Sequence, residues 1–338
     1  MNEMHAYRLS AAGSLDNLVK RQERQPDIGP DDVLVRIRAV SLNARDLMIL
    51  HGPQPYGPKP DIIPVSDGAG EVVACGSAVS DLKPGTRIVL PFRPGWIDGP
   101  FKPADAATDL GGAVDGVLCE YVAIAARAVV PIPDDMSFEA AATLPCAGVT
   151  AWSALTRGNP VNAGSHVLVL GTGGVSIFAL QIAKSMGCTV IATTSSNAKA
   201  QSLIALRADH VINYVTTPDW SAAVRNITGG HGVDRVVEVG GAGSLPHSMK
   251  ALAPEGEIAL IGLLDNPMNT ISPLPLMSSM GVIRGISVGS RADLVALLAH
   301  MHQSFAPVID RVFDFDEAPQ ALAYLASRQH VGKIVIRV

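Results

Sequence analysis

The run Leu168-Val169-Leu170-Gly171-Thr172-Gly173-Gly174-Val175-Ser176-Ile177 narrows the possibilities more than any other stretch of this chain. Apolar residues of a buried strand lead straight into glycines, and the glycines lead into the start of a helix. Gly171 can take a tight turn, and Gly173 lets the backbone come close to a pyrophosphate. The helix N-terminus then offers unpaired N–H groups and the positive end of a dipole. The third glycine of such a fingerprint is replaced by Ser176, still small enough for close strand–helix packing. Glycine-rich turns are common, so the flanking pattern has to carry the dinucleotide reading. Gly171, Thr172, Gly173, Gly174 and Val175 are the candidate phosphate contacts.

The flanking pattern is β–α–β. A buried run (Val167 to Leu170) precedes the turn, a helix follows to Met186, and Thr189 to Thr193 reads as the next strand. Further strand-like runs lie at 210–213, 234–239 and 257–262. Strands alternating with helix-length segments indicate a doubly wound parallel sheet. The first 125 residues read differently. Val33 to Val40 alternates apolar and basic positions, Gly68 to Gly76 is a short strand between glycines, and Lys83 to Pro91 is a turn followed by a strand. Pro91 to Gly116, rich in Pro, Gly, Asp and Ala, reads as a mobile loop. Ser137 can cap a helix over 138–142, and Pro145 to Leu155 continues as a helical segment. The tail holds a helix (Arg291 to His302) and a last strand (Lys333 to Val338). At 338 residues the chain exceeds the usual size of a single core, so two domains are expected.

Composition excludes several classes. Apolar residues make up 48% and charged residues 17%, which suits a well-buried α/β enzyme and not a disordered chain. A net charge of −5 offers no footprint for nucleic acid. The densest basic cluster, Lys20 to Arg24, is interrupted by Glu23 and reads as a solvated segment. No stretch approaches the roughly 20 apolar residues that span a bilayer. The first residues lack the order of a signal peptide, and a cytoplasmic location is expected. Cys75, Cys119, Cys146 and Cys188 are scattered, with no spacing of a disulfide framework or closed zinc site.

Cofactor choice turns on the end of the second strand of the β–α–β unit, Ala192-Thr193-Thr194-Ser195-Ser196-Asn197-Ala198-Lys199. A site specific for NAD usually carries a carboxylate there for the ribose 2′-hydroxyl. Hydroxyls and Lys199 stand there instead, and they suit a 2′-phosphate. Thr194, Ser195, Ser196 and Lys199 therefore point to NADPH (NADP+) over NADH. Serine-rich loops are also ordinary helix caps.

With these features in hand, the chain resembles the medium-chain dehydrogenase/reductase superfamily, and its zinc-independent, quinone-oxidoreductase-like members most. Besides the glycine turn, the markers are Ser41-Leu42-Asn43-Ala44-Arg45-Asp46, Pro64-Val65-Ser66-Asp67-Gly68-Ala69-Gly70, Leu144-Pro145-Cys146-Ala147-Gly148-Val149-Thr150-Ala151-Trp152 and His330-Val331-Gly332-Lys333-Ile334-Val335-Ile336. The resemblance implies a GroES-like β domain over 1–125 and 267–338, and a Rossmann domain over 126–266 with the cofactor in the cleft. It implies cofactor roles for Thr150, Val239, Gly240, Ile261, Gly262, Leu263 and Lys333. Tyr214 is expected beside the adenosine 2′-phosphate, and a homodimer is expected.

Zinc-dependent relatives place a Cys, a His-Glu pair and a second Cys or an acid around one metal. Here Asn43 stands for the first Cys and Ser66-Asp67 for the pair, and only Cys146 survives. Zn²⁺ wants Cys, His or carboxylate donors, so no zinc is expected. A rescue by Asp46, Asp67, Cys146 and His51 is the alternative. Without a metal, reduction of a quinone or enone is less demanding than exchange between a simple alcohol and ketone. Asn43 is the expected donor to the substrate or nicotinamide ribose. Asp46 stands beside the active site, and Tyr56 or His51 is a candidate proton donor. Trp96 and Phe92 are candidate covers for the substrate. The substrate is expected to be a small quinone, enone or carbonyl compound. The rivals are a zinc-free alcohol or aldehyde dehydrogenase and a dinucleotide-binding regulatory module with little catalysis.

Overall fold

The computed structural model describes residues 2–52, 58–262, 271–302 and 304–338. Two compact units divide it: Met1–Val149, Gly289–His300 and Ala306–Val338 form the first, and Thr150–Val288 with Met301–Phe305 the second. In chain order the strands are β1 (Glu3–Leu9), β2 (Leu18–Arg24), β3 (Asp32–Leu42), β4 (Asp67–Cys75), β5 (Arg87–Val89), β6 (Tyr121–Ala125) and β7 (Val130–Pro131). In the second unit they are β8 (His166–Leu170), β9 (Thr189–Thr194), β10 (His210–Asn213), β11 (Val233–Glu238), β12 (Leu252–Leu260) and β13 (Val282–Gly285). The tail returns to the first unit with β14 (Ile309–Asp314) and β15 (Lys333–Arg337). No helix among the described residues is long and apolar enough to cross a membrane.

The first unit is organised on β3. Antiparallel β4 runs along one side of it, while β6 pairs its first half and β15 its last four residues. Val33, Val35 and Ile37 point inward and Arg36 outward, as alternation requires. The alternation stops at Val40, and Val40 to Leu42 are all buried, so the end of the strand is covered on both faces. Residues 126–149, which the sequence reading assigned to the nucleotide-binding region, pack in this unit. Strand β7 extends the sheet from β5, and helix Phe138–Ala142 lies against β3 and β4. The basic cluster Lys20 to Arg24, expected as a solvated segment, is largely exposed and forms part of β2, paired in a ribbon with β1. Its cations meet acids, Arg21 with Asp61 at 2.9 Å and Lys20 with Asp316.

The stretch 91–116 is held, not loose. Buried Arg93 pairs with Asp109 at 2.5 Å and sits between the Phe92 and Phe101 rings. Trp96 and Phe92, the expected covers for a substrate, are buried in this same stretch.

The second unit is one six-stranded parallel sheet, ordered β10-β9-β8-β11-β12-β13. From β8 the chain builds β9 and β10 to one side, then crosses to build β11, β12 and β13 on the other. That reversal at β8/β11 opens a crevice beyond the carboxyl ends of the strands, where open α/β sheets bind ligands. The helix Gly174–Ser185 buries Ile177, Phe178, Leu180 and Ile182. Truncating a fully buried leucine such as Leu168 should cost about 2–5 kcal/mol. Toward the other end of the strands, Arg235 is buried and donates to the carbonyls of Ala154 and Asn159, and its guanidinium lies 3.3 Å from Glu257. Arg284 donates to the same carboxylate at 2.8 Å. Residues 271–288, expected with the first domain, fall in the second unit, where β13 pairs in register with β12.

Candidate functional site

The candidate site residues form two sets, one in each unit. In the second unit, the carboxyl ends of neighbouring strands bring together nearly every residue expected to meet a dinucleotide. After β8, Gly171 holds a φ of +74°, and a Cβ built there or at Gly173 meets nothing within 4 Å. Open space beside the backbone, together with the unpartnered first-turn N–H groups of a twelve-residue helix, is what a pyrophosphate requires. Ser176 does more than stay small: its buried hydroxyl donates to the Leu170 carbonyl at 2.6 Å and ties the helix to the strand end.

After β9, Thr194 is buried and Ser195 is exposed. The Ser196 hydroxyl caps helix Asn197–Ala205 by accepting from the Lys199 N–H at 3.4 Å. Residues 194–199 contain no carboxylate, and β10 closes beside them through Asn213, whose amide donates to Asn197 at 2.7 Å. Tyr214 donates its N–H to the Thr194 carbonyl at 2.9 Å and leaves its ring exposed next to this turn. Beyond β11 and β12, Val239-Gly240 and Ile261-Gly262 form adjoining turns; a Cβ on Gly262 would lie 1.7 Å from the Val239 carbonyl oxygen. These residues fit a dinucleotide. Thr150 is buried early in helix Val149–Thr156, and Leu263 lies outside the described residues.

In the first unit, a polar cluster closes one end of the sheet. Strand register builds it, since Ser41 on β3 stands opposite Asp67 on β4, and Leu42 stands opposite Ile334 on β15. Asn43, Asp67 and Lys333 thereby converge. Lys333, only 3% exposed, donates to the Leu42 carbonyl at 2.5 Å and to Asn43 Oδ1 at 2.6 Å. Asp67 accepts from Ser66 Oγ at 2.7 Å and from the Cys146 N–H at 3.0 Å, and the Asn43 side chain hydrogen-bonds to it as well. Asn43 is the N-cap of helix Ala44–His51, and its own N–H donates to Asp46 Oδ2 at 2.7 Å. The other carboxylate oxygen of Asp46 is buried with no hydrogen-bond partner.

The electrostatics follow from burial. Loss of water pushes the Asp46 carboxyl up to about 6, against the pull of Arg45. It raises Asp67 too, against Lys333, and it lowers the Lys333 ammonium against the two carboxylates. Burial and the Asp67 charge push the Cys146 thiol far up, so it is a thiol and not a thiolate at neutral pH.

Two family profiles match the chain. One is described as an alcohol dehydrogenase GroES-like domain over residues 29–134, the other as a zinc-binding dehydrogenase over 174–303. A zinc-type alcohol dehydrogenase-like protein of Schizosaccharomyces pombe is 40% identical across 92% of this chain and 92% of its own length. The chain belongs to the medium-chain dehydrogenase/reductase superfamily. Among solved members, one from Sinorhizobium meliloti, provisionally titled an alcohol dehydrogenase, superposes with a TM-score of 0.93 at 39% identity, covering 100% of this chain and 99% of that one. An NAD-dependent alcohol dehydrogenase gives 0.89 at 32% identity, covering 99% of each chain. A mycobacterial protein solved with NADPH gives 0.82 at 26%, covering 99% of this chain and 100% of its own. In family terms, the first unit contains the GroES-like domain and the second is the Rossmann domain. The chain is an alcohol dehydrogenase-like NAD(P)H-dependent oxidoreductase, and the reading as a binding module without catalysis falls away.

The profile name raises the question of zinc, and the donors present do not fit that ion. At the Asn43 end of the sheet the amide oxygen accepts from the Lys333 ammonium group, and both Asp67 oxygens accept hydrogen bonds, which leaves Cys146 alone among the donors that zinc prefers. Among the described residues no group of three His, Cys, Asp or Glu side chains is placed to hold a metal. His51, proposed for a rescue site, is exposed at the end of its helix while Asp46 and Asp67 are buried. Lys333, expected as a cofactor contact, is buried in this cluster and donates to Leu42 and Asn43. Tyr56 lies outside the described residues. Sequence reasoning missed Glu238, a buried acid that ends β11, although a carboxylate directly before Val239-Gly240-Gly241 was a visible signal.

Proposed function

We propose that this oxidoreductase is a zinc-independent, NADPH-dependent reductase delivering hydride to quinones or α,β-unsaturated carbonyls. The observation that carries the reading is the polar cluster of the first unit, where a lysine cation and an amide stand among the donors a metal would need. Without a Lewis acid, the developing charge on the substrate oxygen has to be met by hydrogen bonds. The absence of any carboxylate over residues 194–199, with Lys199 present, supports NADPH over NADH. The NADPH-bound relative agrees with that preference and the NAD-dependent one does not, so the comparison leaves it to the residues.

The turns of the Rossmann sheet would hold a reduced nicotinamide, which would supply the hydride. Gly171 to Val175 hold its pyrophosphate, Thr194, Ser195, Ser196, Lys199 and Tyr214 its adenosine end, and Val239, Gly240, Ile261, Gly262 and Leu263 its nicotinamide end, with Thr150 nearby. Lys333 takes Asn43 Oδ1, so the nitrogen is the donor end of the amide, directed at Asp67 and at the Ser41 carbonyl. Its contact to the Ser41 carbonyl, at 3.4 Å, is long and yields most easily to a substrate or ribose oxygen. A preorganised donor of this kind contributes about 2.7–4 kcal/mol. Hydride adds to the electrophilic carbon, charge gathers on the oxygen, and a proton from water, or from Tyr56, completes the reduction.

One observation favours a second reading, oxidation of a simple alcohol. Asp46 keeps an unpartnered carboxylate oxygen at a pKa of about 6, and such a group can accept a hydroxyl proton. We further propose a homodimer joined at β13, which ends the sheet order and exposes Val282 beside Met280 and Met277. The cofactor assignment is tested by comparing kcat/KM for NADPH and NADH with one acceptor. A preference of tenfold or more for NADPH is expected, and an equal or higher value for NADH overturns it.

A further inference from the structure

Glu238 is fully buried at the carboxyl end of β11, and nothing in the chemistry above uses it. A buried carboxylate is costly unless its lone pairs are filled, so where its hydrogen bonds go shows what it is for. One oxygen accepts from the Gly240 N–H at 2.8 Å, from the Gly241 N–H at 3.1 Å and from Ser244 Oγ at 2.6 Å. The other accepts from Ser248 Oγ. The main-chain carbonyl of the same residue accepts from the Ile261 N–H at 2.8 Å and the Gly262 N–H at 3.0 Å. The side chain thus folds the turn after β11 back over the strand end, while the backbone of the same residue holds the turn after β12 against it. The contact between those turns is tight enough that Gly262 admits no side chain. All of these partners are internal, so the carboxylate is not placed to receive a ribose hydroxyl.

We infer that Glu238 is the positioning residue of the nicotinamide end of the cofactor site, setting the 239–241 and 261–262 turns as one unit. The inference rests on the proposed placement of those turns beside the nicotinamide. The physical argument is one of preorganisation. Glycine-rich backbone has the most conformational freedom to lose, and the carboxylate removes that freedom before any ligand binds. The adenosine end, built on the turns after β8 and β9, does not share these hydrogen bonds.

The test separates the two ends of the ligand by calorimetry. Binding of NADPH and of 2′,5′-ADP, which carries only the adenosine end, is measured on the wild type, Glu238→Ala and Glu238→Gln. Glu238→Ala should weaken NADPH binding about tenfold or more, the value of about 1.4 kcal/mol, and leave 2′,5′-ADP within about twofold. Glu238→Gln keeps one oxygen acceptor for the glycine N–H groups and should restore most of the affinity. NADPH affinity unchanged in Glu238→Ala overturns the inference, and so does a parallel loss for 2′,5′-ADP, which would mark general damage to the sheet. If Glu238→Ala does not fold, Ser244→Ala carries the test. It should weaken NADPH about threefold with 2′,5′-ADP unaffected, and no change in either ligand overturns the inference. If the wild type prefers NADH, the same comparison runs with NADH and AMP. A wild type that binds neither dinucleotide refutes the functional reading instead.

Discussion

At the scale of residues, the proposed chemistry rests on how the buried polar groups near Asn43 are compensated. A carboxyl with a native pKa of about 6 and an ordinary value of 3.8 binds its proton more tightly in the folded state. The stability this gives is full below about 4, is lost as pH rises from about 4 to 6, and stays lost above that. Asp46→Asn removes the charge while its amide oxygen can still accept from the Asn43 N–H. The variant should therefore be more stable than wild type at pH 7.5 by about 1–3 kcal/mol, with the gap closing toward pH 4. Urea unfolding at several pH values measures this, and a constant difference across the range contradicts it. Asn43→Ala should lower turnover at least about tenfold while 2′,5′-ADP binding holds, as expected for a group met in the transition state. Unchanged kcat and KM remove Asn43 from the mechanism. Lys333→Met leaves Asn43 Oδ1 and two buried carboxylates without their cation. Its thermal midpoint should fall by several degrees, and its kcat should fall with it.

Among the elements, the turn after β9 is the one on which the proposed cofactor preference rests. Ser195 is exposed and makes no cap, whereas Ser196 caps the next helix, so the two serines are not equivalent. Ser195→Asp should cost NADPH about tenfold or more in kcat/KM and improve NADH, whereas Ser196→Ala should chiefly cost stability, about 1 kcal/mol. The strands and the glycine turn were legible in the sequence because their signal is local: Val167 to Leu170 and Val33 to Ile37 carry their own periodicity. The β1–β2 ribbon was not, because β2 is largely exposed and its charged pattern gives no apolar alternation. The hold on 91–116 was hidden for another reason. It rests on Arg93 reaching Asp109 sixteen residues away, and composition alone reads such a stretch as loose. Lys333 is the instructive case at the site. Its motif singled it out, but only the register of β15 against β3 places its ammonium on Asn43 and buries it.

For the whole molecule, the exposed apolar edge at β13 sets an expectation for assembly. Val282, Met280 and Met277 lie on or beside an edge strand, and unpaired edges with apolar side chains invite pairing. Light scattering should find a dimer, and Val282→Lys combined with Met280→Lys should shift it toward monomer; a monomeric wild type contradicts the proposal. Whether the enzyme works without zinc can be measured directly. NADPH oxidation is followed at 340 nm with metal-stripped protein against quinones, enones, ketones and aldehydes, with alcohol oxidation run in parallel. Turnover of the conjugated acceptors that survives chelation is the expected result. Activity confined to simple carbonyls or alcohols, and restored only by added Zn²⁺, would contradict it.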